Sequence, residues 1–496
     1  MRKKNIFLRL FSILLAAALA LVFPACADQP DARQAVKDAF AALQAEAAAD
    51  PVRVAEVTPV RTKIDIGYYD EDDGPVYLDV CVMKYGSHQM KYTMDIIGNP
   101  DADGTYPLYI ALHGGGGAPE ESNNEQWLQM TDYYKGAVSN GIYVACRGIE
   151  DVWNTHFVDD SYPLYDRLIE NMILLKHADP NRVYLLGFSA GGDGVFAVAP
   201  RMADRFAAVN MSSGHPNGVS LLNAANLPFE IQVGIRDYYS EDAMRSIRAA
   251  EFEKTLTDYS LQYGCSYPHR VLVHVPAGHN YLDSEDGAQT VVKDPAEFAR
   301  RAAEENWLDK FLSVLARIDG SDDVSILSYT SGDPELDEAM SALVTETLGL
   351  EVTPSVNTNA VAYVSSFTRN PVPEKLVWDL STRAPARQYT GFYWLRADYS
   401  VNRGILTASF DKASNTVSVT ISEDVNGDFD ILLNPLLVDF SRPLTVQTPK
   451  GEWTFTPEAD PALIRQSLEA SGDPDLAYAA LVHVGADGIP RPGGIN

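Results

Sequence analysis

Cysteine is scarce: four in 496 residues, one of them Cys26 in an apolar leader. Cys81, Cys146 and Cys265 form no C-x-x-C pair and no metal-ligand spacing, so neither redox nor metal chemistry is read from them. Three thiols cannot all pair within one chain. Cys81 and Cys146 sit in strand-like apolar runs, where buried thiols act as small fillers. Positive charge is also short, with 39 Lys and Arg against 68 Asp and Glu and a net charge of −29. Such a field repels polyanions, which excludes nucleic acid as a partner and disfavours a strongly anionic polymer as substrate. There is no internal repeat.

What is present begins with a leader. Arg2, Lys3 and Lys4 precede the apolar run Ile6 to Phe23, and Ala25-Cys26-Ala27 offers a small-residue cleavage site before Asp28. This reads as an export signal, too short and too Ala-rich for a membrane anchor. The competing outcome is a lipoprotein carrying lipid on Cys26, although Phe23-Pro24-Ala25 is a poor lead-in for it. Membrane attachment is expected only in that second case. Either way the mature chain is expected outside the cytoplasm, secreted or at the cell surface.

The pattern then divides the chain. Residues 1–27 are the signal, and residues 28–58 are an N-terminal helix or tether. Residues 59–320 form the α/β domain, 321–365 an acidic insertion or linker, and 366–496 a C-terminal β-domain. Between about 105 and 315, short apolar runs (Tyr106 to Leu112, Ile142 to Cys146, Arg182 to Leu186, Ala207 to Met211, Phe229 to Val233, Arg270 to Val275) alternate with amphipathic stretches. That alternation predicts a mainly parallel, doubly wound sheet covered on both faces. From Asn370 onward, period-2 runs separated by turn residues predict a smaller antiparallel sandwich. Its aromatic residues Trp378, Tyr389, Phe392, Tyr393 and Trp394 have strand spacing, which suits either a core or a sugar-stacking surface.

Chemistry concentrates at Gly187-Phe188-Ser189-Ala190-Gly191, a Gly-x-Ser-x-Gly directly after an apolar strand and before a helix. The five residues alone recur by chance, but this context is specific. A sharp strand-to-helix turn lifts the Ser hydroxyl out of the sheet and leaves it at a helix N-terminus that favours negative charge. Ser189 is therefore the candidate nucleophile. Upstream, Leu112-His113-Gly114-Gly115-Gly116-Gly117 follows another strand. Its position suits an oxyanion loop in which Gly114 or Gly115 supplies one backbone N–H and Ala190 the other. His113 is expected to be structural.

A general base belongs after the last strand, which makes His279 the candidate, with His274 and His269 structural. The acid belongs after the preceding strand, at Asp237, with Asp242 in reserve and Asp283 third. Ser189, Asp237 and His279 then stand in the order Ser, Asp, His. Trp153, Asn154 and His156, at the sheet's C-terminal edge, and His215 are candidates for the substrate pocket.

On His113 to Gly117, Asp179 to Asp193, Gly234 to Asp237 and Gly278-His279, the span 105–315 resembles the esterase D, polyhydroxybutyrate depolymerase and feruloyl esterase branch of the α/β-hydrolases. The resemblance covers a little under half of the chain and implies ester hydrolysis without a metal or organic cofactor. Ser212 to Asn217, Trp153-Asn154, Thr368 to Pro373 and Phe392 to Leu395 are similar to a bacterial subgroup that carries a C-terminal β-domain. Against that pattern, Ser321 to Ser365 looks inserted. The implied substrate is a carboxylic ester, including acyl or phenolic esters on polysaccharides. Two rivals stand beside it: a peptidase or amidase using the same triad, and a glycan-binding protein with a vestigial site.

Overall fold

The computed structural model describes residues 31–68, 74–238, 244–304, 309 and 333–493. The leader with Cys26, the reserve acid Asp242 and residues 321–332 lie outside the described residues.

The described chain opens with α1 (Ala32–Ala49) and α2 (Pro51–Glu56). Alanine supplies helix propensity. The Asp31 carboxylate caps α1 by accepting from Arg33 N–H, and the Asp50–Pro51 pair ends one helix and starts the next. This segment is a helix and not a tether. Val36, Leu43 and Ala47 share a buried cluster with Leu174, Ile464 and Leu468, so α1 wedges between the α/β domain and the C-terminal part.

An 11-stranded sheet follows, built from β1 (Val60–Lys63), β2 (Tyr77–Tyr85), β3 (His88–Ile97), β4 (Tyr106–Leu112), β5 (Gly141–Cys146), β6 (Ala178–Phe188), β7 (Ala208–Ser212), β8 (Phe229–Gly234), β9 (His269–Val275), β10 (Ala288–Val292) and β11 (Val352–Asn357). Its spatial order is β1-β2-β3-β5-β4-β6-β7-β8-β9-β10-β11. From β5 to β9 every neighbouring pair is parallel. Antiparallel pairs extend both ends. The helices α3 (Glu120–Tyr133), α4 (Ser161–Lys176), α5 (Ala190–Val198), α6 (Arg245–Tyr263), α7 (Pro295–Glu304), α8 (Pro334–Leu348) and α9 (Ala360–Ser365) accompany the strands. Central strands read as near-unbroken apolar runs because both faces are covered; β5 and β8 are buried at every residue. Each Leu, Ile or Val buried there contributes roughly 1.5–3 kcal/mol. This is the α/β-hydrolase arrangement, and the loops leaving β4 to β9 gather at one edge of it.

The boundary expected at residue 320 shifts. β11 pairs with β10 and completes the sheet, and α9 buries Ala360, Val361 and Val364 beside Ala111, Leu186 and Ala208. Residues 334–365 therefore belong to the α/β domain and are not a linker. Neither β10 nor β11 was legible: β11 contains a proline, is largely exposed and lacks alternation.

The C-terminal part holds two five-stranded sheets. One contains β12 (Lys375–Asp379), β15 (Ile405–Asp411), β16 (Thr416–Ile421), β18 (Leu444–Thr448) and β19 (Gly451–Phe455). The other contains β13 (Gly391–Phe392), β14 (Leu395–Ala397), β17 (Phe429–Leu433), β20 (Ala480–Val484) and β21 (Pro490–Pro492). Pairing is antiparallel except between β16 and β18. The helix α10 (Pro461–Ser471) ends at Gly472, and the chain returns as β20. Trp378, Tyr389, Phe392, Tyr393 and Trp394 are all at most 3% exposed, so they form core and offer no sugar-stacking surface.

A buried ionic seam joins the two parts. Arg387 reaches Asp166 at 2.6 Å and Asp204 at 3.3 Å, and Arg369 reaches Asp473 at 2.8 Å. Arg205 lies 3.3 Å from Asp166 and 3.5 Å from Asp473. These charges are almost wholly out of solvent, so each depends on its partners.

Candidate active site

Ser189 sits between β6 and α5 with φ 58° and ψ −120°, a conformation that side-chain-bearing residues seldom adopt. Its N–H donates to the Ser212 carbonyl at 2.9 Å, and its carbonyl accepts from Asp193 N–H at 3.0 Å. The flanking glycines answer close backbone approach. A Cβ on Gly187 would lie 2.1 Å from the Gly191 carbonyl oxygen, and one on Gly191 would lie 2.0 Å from that of Leu112. The turn folds this way only with glycine at both places.

The loops after β8 and β9 bring two more side chains to Ser189. His279 Nε2 is 2.9 Å from Ser189 Oγ, and His279 Nδ1 is 2.9 Å from Asp237 Oδ2. Asp237 is fully buried, and a carboxylate there accepts from Nδ1–H. Nε2 is then left as the acceptor for the serine hydroxyl. The second Asp237 oxygen is 3.4 Å from Arg245 Nη1. Ser213 Oγ donates to the His279 carbonyl at 2.7 Å and fixes that loop. Asp283 is no rival acid. It is buried among the hydroxyls of Ser212, Tyr133 and Tyr134, at 2.5, 2.6 and 3.0 Å, and burial raises its pKa.

The glycine loop after β4 lies over this turn. Gly114 faces the nucleophile: a Cβ built on it would lie 3.4 Å from Ser189 Cβ. Ala190 opens α5 directly beside it, so Gly114, Gly115 and Ala190 border the place where an oxyanion would form. A layer of side chains holds the loop from behind. Asn123 accepts from Gly116 N–H at 2.8 Å and donates to the Gly116 carbonyl at 2.8 Å and to Asp151 at 2.8 Å. His113 accepts Gly148 N–H on Nε2 at 3.0 Å, so its Nδ1–H donates to the Gly114 carbonyl at 2.5 Å. Burial holds its pKa well below the usual value and keeps the ring neutral.

The cleft above Ser189 measures about 640 Å³. Met130, Tyr133, Phe188 and Tyr281 give it an apolar side, and Gln126, Gln129, Asn280 and Arg245 a polar one, with Trp153 also lining it. Phe188 packs between Tyr133 and His279, with ring centroids 5.6 Å from each.

Of the four pocket residues expected from sequence, only Trp153 lines the cleft. His156 is fully buried and donates from Nε2 to the His113 carbonyl at 2.8 Å, with burial lowering its pKa to about 4. It supports the glycine loop and lies outside the cleft lining. His215 is buried behind Trp153, its Nε2 2.9 Å from Arg248 and its Nδ1 2.9 Å from the Asn217 side chain. Asn154 is half-buried and accepts Phe157 N–H with its carbonyl at 2.8 Å, outside the cleft wall. Sequence reasoning missed Tyr133, Phe188 and Tyr281. Two of these stood in plain view, one preceding the nucleophile and one two residues after His279.

Cys81, Cys146 and Cys265 are buried free thiols. Among the described residues, no group of three or more His, Cys, Asp or Glu is arranged to hold a metal ion. No helix among them is long and apolar enough to cross a membrane.

No protein-family profile matches the chain, and no curated protein sequence matches it. Several solved structures are similar at low identity. A thermostable esterase is 18% identical over 43% of this chain, with a TM-score of 0.30, and the chain spans 61% of that protein's length. A poly(3-hydroxybutyrate) depolymerase from Bordetella parapertussis is 17% identical, covering 53% of this chain and 94% of its own, with a TM-score of 0.32. A ferulic acid esterase is 15% identical, covering 40% and 90%, with a TM-score of 0.26. Chemistry rests on the side-chain geometry alone.

Proposed function

We propose that the chain is a secreted serine hydrolase that cleaves carboxylic esters through an acyl-enzyme on Ser189. The observation that carries this reading is the unbroken series Ser189 Oγ to His279 Nε2 to Asp237, both contacts 2.9 Å, beneath the glycine loop. His279 takes the serine proton as Ser189 attacks the carbonyl, and the Ala190 and Gly114 or Gly115 amides stabilise the oxyanion. His279 then protonates the departing alcohol. In the second half it activates water to release the acid. Export is supported by the basic start and apolar run of residues 1–27.

An alcohol borne on a polysaccharide suits the cleft's polar side and the Trp153 ring, which is 53% exposed. An exposed indole is a natural surface for a sugar face. Trp153→Ala is accordingly expected to raise KM for an acylated oligosaccharide by about 10-fold, with kcat little changed. Its effect on a short aryl ester should be small. Equal effects on both substrates would remove the sugar from the account.

Asn123→Ala tests the oxyanion loop. Loss of one oxyanion donor costs on the order of 100-fold in kcat, and a loop without its bracket is expected to approach that figure with KM nearly constant. Unchanged kcat in steady-state kinetics would show that Asn123 is irrelevant to the loop. The reaction class itself is tested by assaying short-chain aryl esters beside peptide anilides. Ester turnover is expected, amide turnover alone would indicate a peptidase, and neither would contradict the hydrolase reading.

A further inference from the structure

Outside the triad, one histidine touches two carboxylates at once. His88, the first residue of β3, has Nδ1 2.7 Å from Asp160 Oδ2 and Nε2 2.5 Å from Glu150 Oε1. Glu150 and Asp160 bracket the loop that leaves β5 and enters α4. That loop is the scaffold of the oxyanion loop. Gly148 N–H meets His113, Asp151 accepts from Asn123, and His156 donates to the His113 carbonyl. It also carries Trp153 to the cleft.

We infer that His88, in its doubly protonated form, is a positioning residue that staples the 150–160 loop shut and thereby holds the oxyanion loop in register; the inference rests on the catalytic reading above. Two ring nitrogens facing two carboxylates require two N–H donors, which only the imidazolium has. The neutral ring loses one of the bonds and leaves two carboxylates with less positive charge between them.

The charged surroundings are consistent. From the facing loop the ring meets Glu150 and Asp160, while Asp151 is turned to Arg147 and Asn123, and Asp159 is exposed. On its own hairpin the nearest charged residues in sequence are Lys84 and Lys91. The hydrogen bonds to Asp160 and then Glu150 raise the His88 pKa above its ordinary value, which is about 6.5. A raised folded-state value means that the staple is fully present below about pH 6.5 and is lost as pH rises through the higher folded value.

The test compares the full chain with His88→Gln and His88→Arg. Aryl-ester kcat is followed between about pH 6 and 9, and hydrogen exchange of residues 150–160 is measured at both ends as protection, each rate being divided by the intrinsic amide rate at that pH. In the unmodified protein, kcat should fall on the alkaline side and loop exchange should quicken. His88→Gln should show a several-fold lower kcat near pH 6, fast loop exchange at both ends and no alkaline inflection. His88→Arg, charged throughout and able to reach both carboxylates, should keep kcat and slow exchange across the range. An alkaline inflection that persists in both variants, or loop exchange independent of pH and of residue 88, would overturn the staple. A protein with no ester turnover but with the exchange pattern above would retain the staple and lose the catalytic reading.

Discussion

Ser189→Ala is expected to lower kcat for any ester substrate by about 10⁶-fold, with the folded structure intact. The hydroxyl's hydrogen-bonding partner is His279 Nε2, and the strained turn is held by backbone groups, through Ser212 O and Asp193 N–H. Removing one oxygen therefore takes away the attacking atom and disturbs no packing. KM should change little, because the cleft walls contributed by α3, Trp153 and Tyr281 remain. The effect should be matched, within about 100-fold, by His279→Ala. The two changes should not add, because serine and histidine act as one unit. A Ser189→Ala protein that keeps more than a few per cent of its activity would remove Ser189 from the mechanism.

Arg387→Met is expected to cost about 3–5 kcal/mol of stability, read as a lower urea midpoint. The guanidinium donates to both oxygens of Asp166, at 2.6 and 3.1 Å, and to both oxygens of Asp204, at 3.3 and 3.5 Å. It is 3% exposed, and Asp204 is fully buried. Replacing the cation leaves two carboxylates out of water, Asp166 keeping Arg205 at 3.3 Å. Arg387→Lys should recover only part of the loss, since an ammonium cannot present the planar fork. The seam crosses from the α/β domain to the β-sheets, so the variant should also become more sensitive to proteolysis between the two. An unchanged midpoint would mean that the seam is not holding the parts together. Removal of residues 366–496 should be worse still, because it strips the partners of Asp166, Asp204 and Asn181 together.

The triad was legible because its spacing is dictated locally. Gly187 and Gly191 mark places where one backbone crosses another at sub-contact distance, and Asp237 and His279 each follow a strand that a short apolar run announces. The loop over Ser189 was legible as a run of glycines after β4. What escaped was whatever depends on the third dimension. His156 and His215 sit in loops that end near the site, but their rings turn inward to backbone and Arg248, a choice made by burial that no spacing reveals. The cleft wall from α3 (Glu120–Tyr133) escaped because which face of a helix turns to the site is set by its packing on the sheet. β11 escaped because an exposed, proline-containing edge strand carries no alternation. The β-domain aromatics were open to two readings, and their near-zero exposure decides for core.

On the proposed mechanism His279 and Asp237 make Ser189 nucleophilic. The rate of covalent labelling with a fluorophosphonate reads that nucleophilicity, with the adduct mapped by mass spectrometry of peptides. A single adduct on Ser189, formed rapidly at neutral pH, is expected. Labelling should slow by several orders of magnitude in His279→Ala and by about 10⁴-fold in Asp237→Asn. An adduct elsewhere, or labelling of Ser189 at the same rate in all three proteins, would contradict that mechanism.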